Sequence, residues 1–149
     1  MTPLRPGLFA LLFCIGCGPK PDVTGDLNSQ VITLPGGGQI RAQVVMTKGE
    51  MESGMKFREA LPQGRGMLFV HTKPAPYVYW MSNVKVPLDI IFMDSSRRIV
   101  EISADTPPCT KKPAECPVYG GHTSEQFVLE LRAGEAQRLG LRQGQTLSF

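Results

Sequence analysis

Apolar and polar positions along this chain change period every few residues, and the changes mark out short strands separated by turns. Val31 and Ile32 open one strand, Leu34-Pro35-Gly36-Gly37-Gly38 turns the chain, and Ile40, Ala42 and Val44 then alternate with Arg41 and Gln43. That arrangement predicts a β-hairpin. Thr47-Lys48-Gly49-Glu50 is a capping box, a hydroxyl residue followed three positions later by glutamate. It predicts a short helix through about Phe57 with Met51 and Met55 on its inner side. Residues 67–70 are a fully apolar strand and residues 77–81 another. Leu88–Met93, the turn at Asp94-Ser95-Ser96-Arg97 and residues 98–103 form a second hairpin. Residues 126–131 alternate again, with Phe127, Leu129 and Leu131 on one face. Residues 133–139 predict a second helix closed by Gly140, and residues 146–149 a final strand. About seven short strands with two short helices and frequent turns make an α+β fold, mostly β: a small twisted sheet partly rolled toward a barrel.

The front of the chain follows a different rule. Residues 8–17 read Leu-Phe-Ala-Leu-Leu-Phe-Cys-Ile-Gly-Cys behind a start that carries Met1 and Arg5. A short positive start and a short apolar core are the parts of a secretory signal, and the run is shorter than the roughly 20 residues a membrane-spanning helix needs. The ending on Gly16-Cys17 resembles a bacterial lipoprotein signal, cut before Cys17 with lipid placed on its sulfur. An ordinary signal peptide and a buried apolar segment are the competing readings. The expected organisation is a signal over 1–16, a lipidated cysteine and flexible tether over 17–28, and one globular domain over 29–149. The expected location is the cell envelope, on a membrane outside the cytoplasm.

Charge and cysteine content narrow the function classes. The chain has 16 basic and 13 acidic residues, a formal +3. Loss of Arg5 with the leader leaves +2, with no lysine- or arginine-rich block, so nucleic acid is not an expected partner. Cys109 and Cys116 remain after Cys14 leaves and Cys17 takes lipid. Outside the cytoplasm such a pair reads as a disulfide; free thiols, or redox or metal work, are the alternatives. No nucleophile elbow, zinc helix or dinucleotide fingerprint is present, His71 and His122 stand on different segments, and neither a metal nor a cofactor is expected.

The candidate chemistry gathers in Tyr77-Val78-Tyr79-Trp80-Met81-Ser82-Asn83-Val84-Lys85-Val86-Pro87-Leu88-Asp89. Asp89 shares a strand face with Ile91 and Met93, and a strand covered on both faces would bury it. A buried carboxylate needs hydrogen-bond donors; the Trp80 indole, Asn83, amides near Pro87 and Arg58 are the candidates. Either Asp89 fixes its own turn, or Arg58, Trp80, Asn83 and Asp89 line a small pocket.

These same residues resemble a known family. Gly54-Met55-Lys56-Phe57-Arg58, Leu61-Pro62, Gly66-Met67-Leu68-Phe69-Val70, Trp80-Met81-Ser82-Asn83, Pro87-Leu88-Asp89-Ile90-Ile91-Phe92, Val128-Leu129-Glu130-Leu131 and Ala133-Gly134 are similar to the signature blocks of the family called domain of unknown function 192. The likeness runs from about Ile40 to the end of the chain. It implies a compact, mostly β domain of the kind often secreted or membrane-attached, and brings no agreed activity. Three functional readings follow. The first is a non-catalytic envelope domain that binds a small ligand or an envelope protein and meets the membrane through its lipid. The second is an enzyme of unassigned class using Asp89 with Arg58 or Asn83. The third is a structural lipoprotein that pairs through a strand edge.

Overall fold

The structure, a computed structural model, describes residues 28–149. Its strands are β1 (Ser29–Thr33), β2 (Gln39–Val45), β3 (Arg65–Ala75), β4 (Val78–Trp80), β5 (Leu88–Met93), β6 (Ile99–Thr106), β7 (Val118–Gly120) and β8 (Glu125–Arg132), and its helices are α1 (Lys48–Ser53) and α2 (Glu135–Arg138). Six strands form one sheet in the order β1-β2-β3-β8-β5-β6, and β4 pairs with β7 in a separate ribbon. Mostly β architecture with two short helices agrees with the sequence pattern.

Both predicted hairpins are present. β1 pairs with β2 antiparallel through Ile32 and Ile40, and the Leu34 and Gly38 backbones close the turn with a 2.8 Å hydrogen bond. β5 pairs with β6 across a turn in which the Asp94 carboxylate accepts from the Ser96 and Arg98 amides. β2 and β3 are parallel, so the chain must cross over between them, and α1 lies in that crossover.

The sheet buries both faces. Ile32, Ile40, Ala42, Leu68, Ile91, Met93, Ile99, Leu129 and Leu131 pack on one side, joined by Ala136, Leu141 and Leu147. Val45, Met67, Phe69, Leu88, Ile90, Phe92 and Val128 pack on the other, covered by Met55, Leu61, Met81 and Val84. Every residue of β5 is buried, which is how a central strand covered on both faces reads.

Three elements differ from expectation. α1 stops at Ser53 rather than reaching Phe57, because Gly54 takes a positive φ of 46° and the Gly54 amide closes the helix on the Glu50 carbonyl. Residues 146–149 form no continuous strand. Instead, single bridges join Thr33 to Ser148 and Arg98 to Thr146, so this segment touches both outer strands of the sheet. The sheet is rolled but not closed. β7 was not evident from the pattern: it is three residues long and follows the loop in which Cys109 and Cys116 form a disulfide. That loop is tied inward, since the Cys109 amide donates to the Met81 carbonyl at 3.1 Å.

Gly120 holds the ribbon against the core. Its φ is +78°, and a Cβ there would sit 2.4 Å from the Phe92 ring and 2.9 Å from the Tyr77 carbonyl. Gly120→Ala therefore combines a disfavoured backbone with overpacking, and is expected to lose about 3 kcal/mol in urea unfolding; an unchanged midpoint would contradict this packing.

Candidate functional site

The four residues singled out from the sequence do not meet in one place. Asp89 is fully buried on the face of β5 that carries Ile91 and Met93. None of the expected donors reaches it. Its Oδ1 accepts from the Asp105 amide at 2.9 Å, and its Oδ2 from the Ala136 amide at 2.8 Å. Asp89 thus ties β5 to the end of β6 and to the first turn of α2. Arg58 follows α1 and donates to Gln43 Oε1 at 2.6 Å. Asn83 is exposed, has a positive φ of 61°, and accepts the Phe57 amide on its carbonyl at 3.1 Å. Arg58, Asn83 and Trp80 lie toward the side of the sheet opposite Asp89.

Trp80 lines a cleft of about 460 Å³ on that side, within the range of small-molecule sites. α1 and the turn after it form one wall, with Met51, Gly54 and Met55. β4 and the residue before it form the other, with Tyr77, Tyr79 and Trp80. Phe69 and His71 of β3 and Glu130 of β8 make the floor. The capping box fixes the first wall: Thr47 Oγ1 accepts from the Glu50 amide, and the Glu50 carboxylate accepts from the Thr47 amide. Those bonds hold the exposed Glu50 carboxyl below its usual range. The second wall is held by β7, by the disulfide loop, and by Phe69 and Phe92, whose rings meet Tyr79 edge-on at 5.1 and 5.8 Å.

The aromatic groups are internally committed. His71 stacks on Tyr77 at 3.5 Å, and its Nε2 is hydrogen-bonded to the Tyr79 hydroxyl at 2.9 Å. Burial lowers the His71 pKa and keeps the ring neutral. Burial, with the Glu130 and Glu125 carboxyls nearby, raises that of Tyr79.

Glu130 is the exception. It is 6% exposed, and its cross-strand neighbours are Met67 and Ile90. Its Oε2 has no hydrogen-bond partner among the described residues. Burial pushes its pKa up to about 8, against the opposing pull of Arg58. Glu130 does not stand out in the sequence, because Gln126, Val128 and Glu130 look like the solvent side of an alternating strand. The clue available was Val128, apolar on the supposedly wet side. Among the described residues, no three or more His, Cys, Asp or Glu side chains gather to hold a metal, and no helix is long and apolar enough to cross a membrane.

The two buried carboxyls predict opposite outcomes. Asp89→Ala strands two buried amides and is expected to lose about 2–4 kcal/mol of stability; a loss below about 0.5 kcal/mol in urea unfolding would contradict the bonding described. Glu130 has a folded pKa raised above its unfolded value near 4.5, so its neutral form favours the fold at low pH. Stability is then lost as pH rises from about 4.5 to about 8, at roughly 1.4 kcal/mol per unit. Glu130→Gln should flatten that slope and raise stability at pH 7. A slope that survives the substitution would place the titration elsewhere.

Known proteins bear on this geometry through fold rather than activity. A protein of unknown function from Novosphingobium aromaticivorans DSM 12444 superposes with a TM-score of 0.71 at 29% identity, over 81% of this chain and 85% of its own. A protein from Sinorhizobium meliloti 1021, named as a candidate transcription regulator, gives a TM-score of 0.71 at 26% identity, over 79% of this chain and 89% of its own. No curated protein matches the chain. The model of the family described as "Uncharacterized ACR, COG1430" matches residues 31–149, and the chain belongs to that family, the domain of unknown function 192.

Proposed function

We propose that this protein is an exported, lipid-anchored domain of the cell envelope that binds a small, largely apolar molecule in the cleft between α1 and β4. One observation carries the binding half: Glu130, a buried carboxyl whose Oε2 has no partner among the described residues, lines a cleft whose surface is largely apolar and aromatic. An unsatisfied buried polar atom costs about 1–3 kcal/mol, and a bound molecule that supplies its partner recovers that cost. Met46, Val78 and Trp80 line the cleft and stay 59%, 48% and 49% exposed, so an apolar ligand entering it would cover surface that water now wets. The envelope half rests on the leader pattern ending at Cys17, and the Cys109–Cys116 disulfide is in keeping with an oxidising compartment. In this reading the signal occupies 1–16, the tether 17–28 and the binding domain 29–149. The ligand-binding role is non-catalytic; both oxygens of Asp89, on which the enzyme reading rested, are already occupied by amides.

Trp80 is the only tryptophan in the chain, so occupancy is readable from intrinsic fluorescence. A neutral apolar dye such as Nile red is expected to change Trp80 emission saturably and to shift the methyl resonances of Met51 and Met55. Binding that leaves both signals unmoved would put the ligand site elsewhere. Mass spectrometry of the membrane fraction is expected to find acyl chains on Cys17, and Cys17→Ser to release the protein from membranes. An unmodified, uncut chain in the cytosol would remove the envelope role.

A further inference from the structure

We propose that the cleft recognises a neutral, largely apolar molecule through an oxygen acceptor, a carbonyl, ether or hydroxyl oxygen, to which Glu130 donates as a carboxylic acid. This rests on the cleft being the ligand site.

A carboxylate in this position would be a buried charge with no donor on Oε2, flanked across the strands by Met67 and Ile90. Burying an unpaired charge costs far more than burying the neutral acid. The charged and titratable groups around the cleft do not change this. Lys48 of α1 faces solvent and pairs with Glu52 at 3.8 Å. Arg58, over the same face, is bound to Gln43 at 2.6 Å, and Lys56 lines the cleft beside the α1 terminus. His71 and the Tyr79 hydroxyl are bonded to each other. Glu130 is therefore a neutral acid whose raised pKa of about 8 agrees with its surroundings. An acid has an O–H to donate, and no described side chain accepts it.

What satisfies that donor must come from the cleft. A cationic ligand would need the carboxylate, which the site disfavours. A hydrocarbon would leave the O–H unpaired. An uncharged oxygen on an apolar body meets both requirements, with Met51, Met55, Tyr77 and Trp80 against the body.

Three matched probes decide it on the full domain: naphthalene, 2-acetylnaphthalene and 2-(aminomethyl)naphthalene, followed through the Met51 and Met55 methyl resonances. Near pH 7 the ketone is expected to bind roughly tenfold tighter than naphthalene, the worth of one buried hydrogen bond, and the ammonium no tighter than naphthalene. Raising the pH to about 9 should ionise Glu130 and erase the ketone's advantage in the unaltered protein. Glu130→Gln, whose amide still donates, should keep the advantage and lose its pH dependence, while Glu130→Leu should abolish it. Equal affinity for ketone and hydrocarbon, or an ammonium preference that grows with pH, would overturn the assignment while leaving the cleft as a ligand site. If none of the three probes moves the methyls, the cleft reading fails and takes this inference with it.

Discussion

The structure depends on the pairing of β5 with β8 inside the six-stranded sheet. Six residues of β5 are buried without exception, and their register with β8 sets what lies on each face. Side chains alternate across a strand, so a slip of one residue would turn the slipping strand over, driving Asp89 toward the cleft if β5 moved or Glu130 toward α2 if β8 moved. The apolar residues that sandwich this pair from both sides hold the register, each contributing about 1.5–3 kcal/mol on burial.

That register produces a contrast between two carboxyls. Asp89 pairs across the strands with Leu131, and Glu130 with Ile90, the next row along. They stand on opposite faces of the same two strands. Asp89 receives two amides and serves the fold, anchoring the first turn of α2. Glu130 receives nothing on Oε2 and faces a cleft. Burial thus means different things for the two: Asp89 is matched by the fold, whereas the Oε2 of Glu130 is left unmatched by the described residues.

Local chemistry made much of this fold legible. The glycine-rich turn at 34–38, the Thr47–Glu50 capping box and the β5–β6 hairpin each depend on residues a few positions apart. What was missed depends on distant ones. Gly54 ends α1 early by taking a positive φ, at a place where a side chain would meet the Phe69 ring of β3. β7 exists because β4, some forty residues earlier, gives it a partner. The candidate site was half legible: Trp80 lines the cleft, but Asp89 drew notice because its burial could be foreseen, while its donors, Asp105 and Ala136, could not. Glu130 escaped notice because the cover over its face arrives from α1 and β4, which no pattern within β8 can reveal.

The segment at 144–148 has a consequence for the order in which the molecule is made. Ser148 exchanges two backbone hydrogen bonds with Thr33, and the Gln145 carbonyl accepts the Ile99 amide, while Phe149 packs against Phe127 and beneath the Arg97 guanidinium. The end of β1 at Thr33 and the start of β6 at Ile99 are therefore held by residues more than a hundred positions downstream of β1. A chain emerging in stages, or threaded through a membrane pore, leaves those two strand ends without these partners until that stretch arrives, and during the interval they are open to pairing with any neighbour that offers a strand.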